Sequence, residues 1–274
     1  MKKYLPKITL IFFFFFAINS YSQLDISHEV GIMFGVTSFQ TDFGERYDFP
    51  SANAASMGFG VMHYLKFYGN QYNWRSGTSF FSDHFKLKTS FDYIQKTNIK
   101  HEPWVGLGDQ SEGFAKLEAM RTNIKMYNIG SQLEFYFSSL ENYSTLFSDK
   151  KSFNPYLSAG VHFSFYDPKV TSELNDSGGP NDELNVVNEP FLFLYKEQWQ
   201  NDAVFNEPGT AFSVSVGAGL RYSMEYFDMI LDTRWQHFFS DKIDGLDAPN
   251  DPGNKYNDTM VYVNLGIVYT FNQY

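Results

Sequence analysis

The sequence predicts an all-β protein, a single antiparallel up-and-down transmembrane β-barrel of about eight strands with long extracellular loops. Three observations predict it. Eight segments alternate apolar and polar residues with period two. Their apolar faces are rich in Phe, Tyr, Leu and Val over roughly 9–11 residues, the length of a tilted membrane strand. The chain also opens with the three parts of a secretory leader: Lys2, Lys3 and Lys7, then an apolar run from Ile8 to Ile18, then Ser20-Tyr21-Ser22 as a small-x-small cleavage site. The expected division is a signal peptide over 1–22 and one barrel domain over 23–274.

That apolar run of 11 residues is too short to span a bilayer as a helix, which takes about 20. Polar or charged residues interrupt every later apolar stretch. Removing the leader takes away three lysines and no acids, moving the net charge from −10 to −13. A chain so acidic does not suit nucleic acid. It has no cysteine, so disulfides, thiolate metal sites and lipid attachment through a thiol are excluded.

The last strand alternates most cleanly. Val261, Val263, Leu265, Ile267, Tyr269 and Phe271 share one face, and Tyr262, Asn264, Gly266, Val268, Thr270 and Asn272 share the other. The first face suits lipid; the second, small and polar, suits a barrel interior. The first strand alternates Val30, Ile32, Phe34 and Val36 with Gly31, Met33, Gly35 and Thr37. The second sets Met57, Phe59, Val61 and Leu65 against Gly58, Gly60, Met62, Tyr64 and Lys66. The third and fourth place Phe85, Leu87, Phe91, Ile129, Leu133 and Phe135 opposite Lys86, Lys88, Asp92, Asn128 and Glu134. The fifth has Leu157, Val161 and Phe163 opposite Ser158, Gly160 and His162. The sixth and seventh have Phe212, Val214, Leu231 and Trp235 opposite Ser213, Arg221, Asp232 and Arg234.

A soluble sandwich would also alternate, but its edge strands need protection and its greasy faces need each other. Long aromatic strands favour the membrane barrel. With both termini periplasmic, the outer loops fall at 40–54, 97–121, 168–208 and 240–258. The inner turns fall at 68–82, 138–154 and 223–225, the first two long enough to hold short helices. Outer loops longer than inner turns fit such barrels.

An eight-stranded lumen is only wide enough for side chains to fill. Lys86, Lys88, Asp92, Glu134, Arg221, Asp232 and Arg234 should therefore form a paired charge network inside, because an unpaired buried charge is costly. Function then moves to loops and rims. In loop 168–208, Phe191, Phe193, Tyr195 and Trp199 are too apolar for a free loop and should cap the mouth or bind a partner. Loop 240–258 is dense in oxygen donors. Asp241, Asp244, Asp247 and Asp251 are weak calcium candidates, although their spacing does not match an EF-hand and such residues also dominate ordinary turns.

Catalytic patterns are absent. None of the six histidines lies in a recognised metal spacing, and no nucleophile elbow, P-loop or dinucleotide fingerprint occurs. His237 with Asp241 and Asp244 could begin an outer-leaflet hydrolase site, but no serine is tied to them by motif. No catalytic residue, cofactor or metal is expected.

Three segments carry a family resemblance: HEVGIMFGVTSFQTDFGER at 28–46, NPYLSAGVHFSFYDP at 154–168 and DTRWQHFFSDKIDGLDAP at 232–249. In barrel order they resemble the PorG-like outer-membrane barrels of Bacteroidota, associated with type IX protein secretion. The matching positions are Glu29 and Gly31; Pro155, Tyr156 and Gly160; and Arg234, Phe239, Asp241, Asp244 and Gly245. The long third loop and the tryptophan-bearing second loop depart from that pattern. The resemblance implies a non-catalytic scaffold in the outer-membrane lipid that docks periplasmic secretion-ring proteins. Two other functions compete with it: a surface binding protein using loops 168–208 and 240–258, and an outer-leaflet barrel enzyme.

Overall fold

The computed structural model describes residues 27–42, 56–67, 79–100, 120–140, 153–172, 204–224, 227–247 and 256–271. The expected leader at 1–22 lies outside them. Eight strands run in chain order: β1 (Ser27–Gln40), β2 (Ser56–Lys66), β3 (Phe85–Lys100), β4 (Met120–Tyr136), β5 (Phe153–Ser172), β6 (Gly209–Ser223), β7 (Asp228–Phe238) and β8 (Thr259–Thr270). A one-turn helix, α1 (Phe80–His84), precedes β3. Each strand pairs antiparallel with the next, and β1 pairs with β8 from Glu29↔Thr270 to Gln40↔Thr259, which closes the barrel. Closure leaves no sheet edge around the ring.

The two faces are inverted relative to a water-soluble protein. Outward residues are large and apolar: Ile32 is 64% exposed and Leu265 59%. Inward residues include Glu29, Lys86, Lys88, Asp92, Glu134, Arg221, Asp232 and Arg234, all buried. Water would penalise that exterior, whereas a bilayer core accepts it. The exterior is thus a lipid-facing belt, and the molecule is a transmembrane barrel of the outer-membrane type.

Three strands run farther than their apolar text suggests. β3 continues to Lys100, β4 begins at Met120 and β5 reaches Ser172, so the loops drawn at 97–121 and 168–208 are shortened. The reason is inward packing. Ile99, Met120, Ile124 and Val170 remain buried beyond the point where outward residues turn polar.

The lumen is layered. At the end where β1 starts and β8 finishes, Glu29 accepts hydrogen bonds from Lys86 Nζ at 3.0 Å and Arg221 Nη2 at 2.6 Å, with Lys66 Nζ at 3.6 Å. Arg221 Nε also donates to Asp228 at 2.6 Å. Lys88 pairs with Asp232 at 2.8 Å and stands 3.9 Å from Glu134, which accepts from Tyr136 Oη at 2.6 Å. Higher up, Arg234 pairs with Asp92 at 2.8 Å. Tyrosine rings lie beside the cations, Tyr136 under Lys86 Nζ at 5.4 Å and Tyr64 under Arg221 at 5.3 Å. At the loop end the interior becomes apolar, with Phe39, Ile94, Met126, Phe238 and Met260 fully or almost fully buried.

Removing Glu29 leaves three cations facing one another. Glu29→Ala should cost roughly 3–5 kcal/mol, the scale for breaking a buried ion pair from one side. Urea unfolding of the reconstituted barrel, read by mobility on unheated gels, checks this. A midpoint equal to wild type would contradict it.

Candidate functional site

The feature that governs what the barrel can do is its loop-end closure, built largely by the fourth loop. After β7, residues 240–247 turn inward, and Ile243, Asp244, Gly245 and Leu246 are all buried. Four anchors hold them. Asp258 Oδ2 accepts from Ile243 N at 2.9 Å, and Asp244 Oδ1 from Leu246 N at 2.8 Å. Asp244 Oδ2 accepts from Asp42 N at 3.1 Å, tying the segment to the end of β1. Thr122 Oγ1 donates to the Asp244 carbonyl at 2.6 Å, tying it to β4. Gly245 sits at φ 90°, a left-handed conformation that glycine adopts without cost. A Cβ there would also fall 2.7 Å from Val170 and 2.9 Å from the Phe205 carbonyl.

The end of the third loop seals the other side. Val204 bridges Leu246, and Phe205 N donates to the Gly245 carbonyl at 2.8 Å. Asn206 brackets Val170, accepting from its N–H at 2.8 Å and donating to its carbonyl at 3.3 Å. Lys242 Nζ lies 3.8 Å from the centre of the Phe205 ring and 3.7 Å from Asp247. The described plug thus comes from Ile243 and Leu246. Phe191, Phe193, Tyr195 and Trp199, expected to cap the mouth, lie outside the described residues.

The loop-four carboxylates are placed unlike a calcium loop. Both oxygens of Asp244 are taken by backbone N–H groups, and Asp247 faces Lys242. Asp251 lies outside the described residues. Among the described residues, no group of three or more histidine or acidic side chains converges in a metal-binding arrangement.

Charge at the plug is strained. Burial pushes the Asp244 carboxyl up to about 7; hydrogen bonds from the Leu246 and Asp42 N–H groups oppose the rise, and nearby Asp241 adds to it. Burial also raises Asp258 well above the usual carboxylate range, with Asp244, Asp42 and Asp241 pushing the same way. The plug therefore favours at least one proton on this pair at neutral pH.

The seven charges anticipated in the lumen all point inward and lie in the layers described above. Glu29, Lys66 and Asp228 join them. Alternation puts Lys66 and Asp228 on the inward face, but none of the three is among the seven charges expected to pair there.

The histidines are dispersed. His28 Nδ1 and His63 Nε2 share a hydrogen bond at 3.0 Å on the outer wall. His237 also faces outward, between Trp235 and Phe239, away from the buried Asp244. The structure therefore does not bring His237, Asp241 and Asp244 together as a site. His162 lies mid-lumen, with Nε2 2.8 Å from Ser215 Oγ and Nδ1 3.4 Å from the Asn128 amide. The order echoes a nucleophile, base and orienting group, but Gln132 also donates to that hydroxyl at 3.2 Å and every member is buried. Packing is tight here, since a Cβ on Gly130 would overlap the His162 ring. Two dents of about 360 and 270 Å³ open instead on the lipid face, near Leu157 and Ala218 and near Tyr222 and Leu265.

No family model matches the chain, and neither does any curated protein sequence. Among solved structures it is similar to the attachment invasion locus protein Ail of Yersinia pestis, solved with the heparin analogue sucrose octasulfate. That match has 11% identity and TM-score 0.41, covering 90% of this chain and 99% of that one. It is also similar to a major outer membrane protein of Thermus thermophilus, with 10% identity and TM-score 0.46, covering 89% and 99%. A third is Neisserial surface protein A, with 14% identity and TM-score 0.39, covering 89% and 97%.

The folded plug holds a proton that the unfolded chain releases above about pH 4. Its stabilisation is present at low pH and should fade as pH rises through about 7. Amide exchange at Ile243 and Leu246, corrected for intrinsic rates, should show more protection at pH 5.5 than at pH 8.5, and Asp244→Asn should flatten the difference. Protection that grows with pH would contradict the sign.

Proposed function

We propose that this protein is a sealed outer-membrane β-barrel, exported by the leader at 1–22. In this reading it works without catalysis as a structural and docking element, an accessory of a type IX secretion machine. The observation that carries the reading is the lumen. Charge pairs fill one end, and buried Ile243 and Leu246 close the other. A barrel so filled has its rims and loops left for contact with partners, which would be periplasmic secretion-ring proteins.

The resembling residues support a scaffold role, because they fall on structural devices. Glu29 is the hub of the charge network, Arg234 holds Asp92, and Asp244 with Gly245 forms the plug turn. Binding through the outer loops has less to work with, since 240–247 is already committed to the mouth.

Two experiments test the proposal. Reconstituted in planar bilayers, the protein should show no steady conductance; stable open-channel steps would overturn the sealed lumen. Deleting the gene should abolish or sharply reduce export of secretion cargo, whereas wild-type export would sink the secretion role.

A further inference from the structure

We propose that α1 is a membrane-interface foot: its Phe80 and Phe81 insert at the headgroup boundary of the periplasmic leaflet. The helix is built to present them. Ser79 caps it, its Oγ accepting from Ser82 N at 3.1 Å, and Phe85 N–H closes its far end on the Phe81 carbonyl. Its polar side is engaged by the second inner turn. Asp83 Oδ1 accepts from Ser139 Oγ at 2.7 Å, and the Asp83 carbonyl accepts from Leu140 N at 2.8 Å, with Leu140 buried. This lock fixes the helix and leaves its other side facing out.

That side is aromatic and open, Phe80 being 66% and Phe81 46% exposed. Both rings rest on the barrel's outer wall. Phe81 lies 4.8 Å from Phe85, and Phe80 6.3 Å from Phe135, a cross-strand pair on the lipid face of β3 and β4. Phe67 joins Phe81 at 4.9 Å, and Phe137 joins Phe135 at 5.4 Å.

The patch is therefore continuous with the lipid-facing belt, and this continuity identifies the occupant. A protein partner seated there would have to lie within the bilayer. Lipid already covers the adjoining wall, and aromatic rings favour the headgroup level, where one edge stays near water. The helix carries no lysine or arginine, so the contact rests on the rings rather than on anionic headgroups. The inference stands apart from the secretion role and removes this sector of the rim from the surface available to a soluble partner.

The chain has no cysteine, so single cysteines can carry a nitroxide without background. Phe81→Cys, Ser82→Cys and Ile32→Cys proteins, each shown to be folded by unheated-gel mobility, are reconstituted in phosphatidylethanolamine–phosphatidylglycerol vesicles. Collision with oxygen is then compared with collision with a water-soluble nickel chelate. The oxygen-to-nickel ratio at Phe81→Cys should be several-fold above that at Ser82→Cys and below that at mid-wall Ile32→Cys. If Phe81→Cys does not fold, Phe137→Cys carries the same expectation. A ratio equal to that of free label in buffer, or a label neither reagent reaches, would overturn the proposal.

Discussion

Everything in this barrel depends on how the Glu29 carboxylate is neutralised. It stands on β1 inside a closed wall, and three cations from β2, β3 and β6 converge on it. None could be buried alone, and none could be moved to the lipid face. The same logic ties β3 to β7 twice, through Lys88 with Asp232 and Arg234 with Asp92. These bonds cross the lumen instead of following the sheet. They link strands far apart in the chain and fix which face of each strand turns inward.

Once that face is fixed, the remaining surfaces follow. The outward residues become a lipid belt, and its margin at the Glu29 end gathers rings around α1. The inward residues change along the axis from charge to hydroxyl and amide groups and then to hydrocarbon. That gradient explains why the mouth accepts Ile243 and Leu246, which would find no partners among the charges below. It also explains the chemistry of the plug. Segment 240–247 can bury two apolar side chains only if its backbone N–H groups find acceptors, and Asp244 and Asp258 supply them. The cost is a pair of crowded carboxylates, which couples closure to proton concentration.

Much of the fold was legible in the sequence because a period of two is unambiguous where lipid faces one side and packed charge the other. All eight strands and most of their inward residues could be read that way. The strand ends could not. Ile99 and Val170 stand in polar text, and only their burial and their pairing with Thr122 of β4 show that β3 and β5 continue there. Glu29 was hidden at the start of a Gly- and Met-rich strand whose other inward positions are uncharged. The plug was harder still. Ile243 and Leu246 flank Asp244 and Gly245 in a stretch that reads as a turn or a cation loop, and nothing local says that it folds inward. The acceptors that make this possible, Asp258 and the carboxylate beside Asp42, come together only in three dimensions.

Cross-lumen charge pairing holds the barrel together. A double-mutant cycle on Asp92 and Arg234 tests it most directly, with Asp92→Asn, Arg234→Gln and the double variant compared by urea unfolding in vesicles. The double variant should be less destabilised than the two single changes together, with a coupling of about 1–3 kcal/mol. Strictly additive losses would show that the pair is incidental and that the barrel is held by its sheet alone.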